Sequence, residues 1–231
     1  MRQVKRLRRP PAGGYARGDE TRERIITAAI KLFGERGFAG ASTRDIATAA
    51  GVNAPALQYY FENKEGLYQA CAEYITSDLK ARFAPAMRQA GEALKSDAGV
   101  DALIEAFLAI HAVMLDCVFM QPFASSMRQF VARELIEDEP QLASKLLRRR
   151  LKQPLNKINA SLLARITGLG PSDSITRIRM LTLKGQIMPF NYPPGACLEA
   201  LGWKEIDAAK SVLIKATVLE QIRVLLQAWR V

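Results

Sequence analysis

Asn53, Ala54, Pro55 and Gln58 fall within a few residues of one another, followed at once by Tyr59 and Tyr60 and then by Lys64. Each of these types has a chemistry. Side-chain amides of Asn and Gln pair bidentately with adenine, and small apolar groups sit against the thymine methyl. Tyrosine hydroxyls and a lysine ammonium suit phosphate oxygens. With Asn53 to Tyr60 on one short helix and Lys64 just beyond it, the first four would face base edges and the last three would hold the backbone. A purely structural reading makes Tyr59 and Tyr60 core aromatics instead, and partial burial is expected of one of them.

The surrounding sequence builds the elements that would position this set. Ile25, Ala29, Leu32 and Phe33 recur at the spacing of one helix face, widened by Ile26 and Ile30. Asp19, Glu20 and Glu23 sit near the start, where the helix dipole favours acids. Gly37 is expected to end this first helix, with Phe38 folding back onto its apolar face. Ser42 with Asp45 three residues later forms a capping box, so a second helix starts at Ser42 or one residue beyond and breaks at Gly51. Asn53 caps a third helix that carries Pro55 in its first turn. Asn63 caps a longer fourth one, which Pro85 would kink or end. Two short helices around a Gly-Val-Asn turn, braced by the first, make a helix-turn-helix. Ile46, Ala47, Ala50, Val52, Leu57 and Phe61 would face inward, and the N-terminal amides of the second helix suit phosphate.

Charge points the same way. The chain has 231 residues, 33 Lys plus Arg against 23 Asp plus Glu, and a formal net charge of +10. That balance favours polyanionic partners. Residues 1–18 include Arg2, Lys5, Arg6, Arg8, Arg9 and Arg17 among prolines and glycines and read as a disordered basic arm. Its alternatives are a nucleic-acid contact, a solubilising tail and a wrongly chosen start codon. The longest run without a charged side chain is Ile46 to Phe61, too short and too polar to cross a bilayer, so no membrane role is expected. Cys71, Cys117 and Cys197 are odd in number and widely spaced. They suggest neither a disulfide framework nor zinc, and no apolar run behind the basic N-terminus marks a secretory signal. The cytoplasm is the expected compartment.

The string from Ile25 to Leu67 resembles the DNA-binding domain of TetR-family transcriptional regulators. The likeness rests on Ile25, Ala28-Ala29, Leu32-Phe33, Gly37-Phe38, Thr43, Ile46-Ala47, Ala50-Gly51-Val52, Leu57, Tyr60-Phe61, Lys64 and Leu67. It implies an all-α homodimer whose N-terminal domains dock in successive major grooves of double-stranded DNA. It also implies phosphate contact at Thr43, base reading from the third helix, and a backbone grip by the Tyr pair and the later Lys. Those roles transfer to Thr43, Arg44, Asn53, Ala54, Pro55, Gln58, Tyr59, Tyr60 and Lys64. Many members have Tyr where this chain has Gln58, which leaves that position open between base, phosphate and neither.

Residues 19–66 are thus expected to form the helix-turn-helix domain and 67–231 a helical effector-binding and dimerisation domain. Gln121-Pro122, Arg133-Glu134 with Pro140, Gly185-Gln186 and Leu201-Gly202-Trp203 resemble the CerR/CecR-type C-terminal domain of a TetR subgroup. An apolar helix from Asp101 to Leu115 carries the lone histidine, His111, with Phe107 and Met114. Phe123, Met127 and Phe130 follow in an aromatic, Met-rich patch. These six are the candidate lining of a pocket for an unknown small-molecule effector. Ordinary core is the competing reading for each, as a salt bridge or solvent is for Arg128 and Arg133. Lys145, Arg148, Arg149, Arg150 and Lys152 read as a solvated basic face. Helices are expected over 173–188 and from Asp207, with a loop at 191–195 between them. The last helix would present Val212, Ala216, Leu219, Ile222 and Leu226, with Val218 and Leu225 alongside, to the core and to a two-fold four-helix dimer contact.

Two other classes compete. An enzyme would need a nucleophile elbow, a phosphate loop or a metal pair, and none of these motifs is present; no catalytic residue, cofactor or metal ligand is expected. A non-specific architectural nucleic-acid binder would account for the charge, but not for the apolar-rich helices beyond the DNA module.

Overall fold

The computed structural model describes residues 13–96, 98–119, 123–134, 140–191 and 195–231, and every helix or strand assigned among them is a helix. The chain forms two compact units. One runs to Tyr74 and includes Ser126–Ala143; the other comprises Ile75–Ser125 and Ser144–Val231.

In the first unit α1 (Gly13–Gly40) is broken by a non-helical backbone at Gly37 (φ 75°, ψ 173°), where the sequence places its end. Its start lies inside the stretch read as a disordered arm. The helix extends back through Ala16 and Arg17 because each residue added to an existing helix gains one hydrogen bond. The rest of the arm, residues 1–12, lies outside the described residues. The next helix, α2 (Thr43–Ala49), is capped by Ser42, whose Oγ accepts from the Asp45 amide at 3.1 Å. Gly51 turns the chain at φ 66°, a left-handed conformation that costs other residues energy. Asn53 then caps α3 (Ala54–Tyr60), accepting from the Ala56 amide at 2.9 Å. The longest helix, α4 (Lys64–Lys95), contains Pro85 without ending there.

The core of this unit joins Ile25, Ile30 and Phe33 of α1 with Ile46, Leu57, Leu67 and Tyr68, all almost fully buried. Ala47, Ala50 and Phe61 are buried as expected, while Val52 is half-buried. Later in the chain, α6 (Phe123–Arg133) contributes Met127 and Phe130 to the same core. Phe130 stacks on Tyr68 at 4.6 Å, and Phe33 meets Tyr68 edge-on at 5.0 Å. Gly34 makes this possible: a Cβ there would lie 3.1 Å from the Ser126 carbonyl and 3.2 Å from the Phe130 amide.

The second unit is centred on α5 (Val100–Phe119), which packs against α8 (Gln153–Thr167) and α12 (Ala208–Trp229). Glu105 pairs with Arg223, and Asp116 with Lys215 at 2.6 Å, so α5 and α12 run antiparallel. The best 18-residue window of α5 has a mean hydropathy of 2.0, making it long and apolar enough to cross a membrane by composition. No charge-free run marks it, because Asp101, Glu105 and Asp116 interrupt the sequence. Its apolarity has a packing cause: Leu103, Ile104, Phe107, Leu108, Ile110, Leu115 and Val118 are buried. Further along the chain, α7 (Leu142–Leu147) runs through a π-helical turn, Arg148–Lys152, into α8. The expected 173–188 helix is α9 (Ser174–Gly185), capped by Asp173. Short helices α10 (Met188–Asn191) and α11 (Gly195–Leu201) flank the region read as a plain loop, whose residues 192–194 lie outside the described ones. Cys71, Cys117 and Cys197 form no disulfide among the described residues.

Candidate nucleic-acid interface and effector region

Both short helices of the first unit keep their apolar residues inside, which leaves their polar residues outside. Thr43 and Arg44 in α2 are exposed. So are Asn53, Ala54, Pro55 and Gln58 on the leading turns of α3. Tyr59 is 85% exposed, whereas Tyr60 is half-buried, so of the two tyrosines one faces solvent and one is partly packed. Their rings meet edge-on at 5.2 Å. Asn53 has two tasks: its Oδ1 is spent on the cap, and its amide nitrogen carries the remaining donors. At the start of α4, Lys64 is half-buried. Its Nζ donates to the Ala39 carbonyl at 3.4 Å and stands 4.7 Å from the Phe38 ring centre. An ammonium has three protons, so this leaves others to turn outward. Arg36 and Asp45 add an exposed ion pair at 3.3 Å between α1 and α2.

The six candidate pocket residues are shared between the two units. Phe107 and His111 stack at 4.3 Å in the second unit, with Met114 half-buried one turn on. Met127 and Phe130 belong to the aromatic core of the first unit, and the Phe123 side chain lies outside the described residues. Arg133 is committed elsewhere than to an anion: Nε donates to the Gly34 carbonyl at 2.7 Å and a terminal nitrogen to the Glu35 carbonyl at 2.6 Å. Its neighbour Glu134 is buried and accepts from the Tyr68 hydroxyl at 3.0 Å and the Ala143 amide at 2.8 Å. The basic run Arg148, Arg149 and Arg150 is exposed with Lys145 and Lys152.

The second unit sets the candidate His111 among polar groups that the sequence reading passed over, the buried Asn159 and the half-buried Lys184. His111 is buried, and its Nδ1 lies 2.9 Å from the Phe107 carbonyl while Nε2 has no hydrogen-bond partner. Burial holds the imidazole down to a pKa of about 4, with the nearby Lys184 charge adding to that effect against the Phe107 hydrogen bond. Asn159 is 1% exposed with both amide atoms unpartnered. Lys184 Nζ donates to Asn156 Oδ1, and burial lowers the lysine's pKa. The missed signal was an Asn at a core position of the helical period, among Leu155, Leu162 and Leu163. A shallow groove of about 360 Å³ at the other end of α8 includes Ser161, Arg165 and Pro171. Arg165 there is occupied with carbonyls at the end of α4.

Known proteins match both parts of the chain. Residues 25–71 match the family of bacterial regulatory proteins of the tetR type, and 103–229 match the C-terminal domain of the HTH-type transcriptional dual regulator CecR. The chain is similar to the dual regulator CecR of Shigella flexneri, 30% identical over 91% of this chain and 93% of that one. Two solved structures share the fold at lower identity. One is AibR in complex with isovaleryl coenzyme A and operator DNA, with a TM-score of 0.57 at 16% identity over 87% of this chain and 97% of that one. The other is FadR of Bacillus subtilis in complex with stearoyl-CoA, with a TM-score of 0.53 at 18% identity over 87% and 96%.

Proposed function

The chain belongs to the TetR family and is a sequence-specific DNA-binding transcriptional regulator; from that premise we propose a homodimeric, ligand-responsive repressor acting on a palindromic operator. The observation that carries this reading is the exposed leading face of α3, where Asn53, Ala54, Pro55 and Gln58 stand clear of a core closed by Leu57. Asn53, Ala54, Pro55 and Gln58 read bases. Thr43, Arg44, Tyr59, Tyr60 and Lys64 hold phosphates. The effector region centres on Phe107, His111 and Met114, inside a cytoplasmic protein that performs no catalysis.

Dimerisation is supported by apolar side chains left outside the second unit. Ile175, Ile178 and Leu181 (65% exposed) follow one face of α9, and Val212 (67% exposed), Leu213 and Val224 stand out from α12. Arg179 lies 4.4 Å from the Trp229 ring centre, which sets the two helices side by side. Apolar groups exposed in such number favour a partner surface. In α12 the expected stripe divides: Ile222 and Leu226 are core residues, while Val212 and Ala216 face outward. A two-fold dimer places the two α3 helices about one DNA turn apart, roughly 34–36 Å. An effector releases DNA by binding a dimer of different spacing more tightly, since equal affinity shifts nothing. Acyl-CoA ligands in AibR and FadR support a small-molecule effector of some kind here.

Selection of sites from random duplex DNA at physiological salt, with excess bulk competitor, tests the reading. An enriched inverted repeat is expected. No enrichment, even after refolding to strip any bound ligand, would overturn it in favour of architectural binding.

A further inference from the structure

We propose that the effector of this regulator carries a neutral hydrogen-bond-donating group, a hydroxyl or an amide N–H, on an otherwise apolar body, and that His111 Nε2 and the Asn159 amide receive that group. The inference deepens the effector reading above and rests on it.

Imidazole stacking and tautomer fix what His111 requires. Phe107 stacks on the imidazole at 4.3 Å with the planes 19° apart, and the carbonyl of the same residue lies 2.9 Å from Nδ1. A carbonyl oxygen only accepts, so Nδ1 bears the proton and Nε2 presents a lone pair. That nitrogen is buried without a partner, and so are both amide atoms of Asn159. Helices α5 and α8 pack directly together. On α8, Asn156, one turn before Asn159, accepts from the Lys184 ammonium, whose charge also weighs on the His111 imidazole. The same charge opposes conversion of His111 to a second cation. An Nε2 lone pair repels a carboxylate and welcomes a donor, while the Asn159 amide serves a hydroxyl or amide in either direction. Met114, half-buried one turn beyond His111, is the apolar neighbour for such a ligand's body.

The sequence contains a single histidine, so imidazole ¹⁵N resonances of the full-length protein report on this position alone. Phenol, benzoate and toluene are size-matched probes for a donor, an anion and an apolar body. Phenol is expected to shift the Nε2 resonance while leaving Nδ1 in place, and to bind about tenfold or more tightly than the other two. The folded variants His111→Phe and Asn159→Leu, checked by circular dichroism, should lose that preference. If a variant does not fold, the wild-type titration decides alone. An Nε2 resonance unmoved by every probe, as an internal water alone would leave it, overturns the proposal; so does a larger response to benzoate. The readout uses no DNA. A protein that selects an operator but shows no Nε2 response keeps the regulator reading and loses this one, and the reverse result does the opposite.

Discussion

The helix-turn-helix of the first unit and the core of the second treat polar side chains in opposite ways. In the first, the polar groups of α2 and α3 cap helices or face solvent, as Ser42, Asn53, Gln58 and Tyr59 do. In the second, His111, Asn159 and Thr176 lie inside an apolar helical core, each with at least one unpartnered polar atom. An exposed amide costs nothing when idle, because water serves it until a base edge replaces the water. A buried one lacks that service and carries a desolvation penalty of about 1–3 kcal/mol until something meets it. The outward set suits a polymer that arrives from solution, and the inward set suits a small molecule that must be enclosed.

The comparison can be broken at several strengths. The largest effect is expected from Phe33→Ala, which opens the cluster of Phe33, Tyr68 and Phe130. It should cost about 3–5 kcal/mol in urea unfolding; a loss below about 1 kcal/mol would mean that this cluster does not brace the helix-turn-helix.

Acid should act on the second unit through His111, whose pKa is held to about 4 against an ordinary value of 6.5. As pH falls below 6.5 the unfolded chain takes up the proton first, so stability is full above 6.5 and declines toward pH 4. The loss amounts to roughly 3 kcal/mol. Unfolding curves of wild type and His111→Gln across that range should differ in slope, and parallel curves would place the imidazole in water.

The smallest effects separate the outward residues from one another. Lys64→Ala should weaken binding to all sequences by about 1 kcal/mol and reduce the salt dependence. Gln58→Ala, if that side chain reads a base, should cost about 1–3 kcal/mol at one operator position and leave bulk DNA unaffected. An identical selected consensus would remove Gln58 from the reading set.

Much of the first unit was legible because its signals are local. A cap such as Ser42 or Asn53 satisfies amides three residues away, and Gly37 and Gly51 mark backbone conformations rather than distant contacts. The expected reading residues of α3 followed from the same rule, since Leu57 faces in and its neighbours must face out. The second unit resisted because its periodicity shows which residues are apolar without showing what they cover. The stripe of α12 illustrates this: Val212 and Ile222 look alike in sequence, yet Ile222 is buried and Val212 is exposed.

By itself the sequence determined an all-helical chain, a capped helix-turn-helix and the residues it turns outward, because caps, glycine turns and a 3.6-residue period act over one or two turns of helix. Only the tertiary structure decided that Arg133 spends its donors on the carbonyls of Gly34 and Glu35, and that Phe130 joins the core around Tyr68. It alone decided that Asn159 lies buried on a helix packed against the one bearing His111. Such partners stand tens of residues apart in the chain, and nothing short of the packed fold brings them within reach.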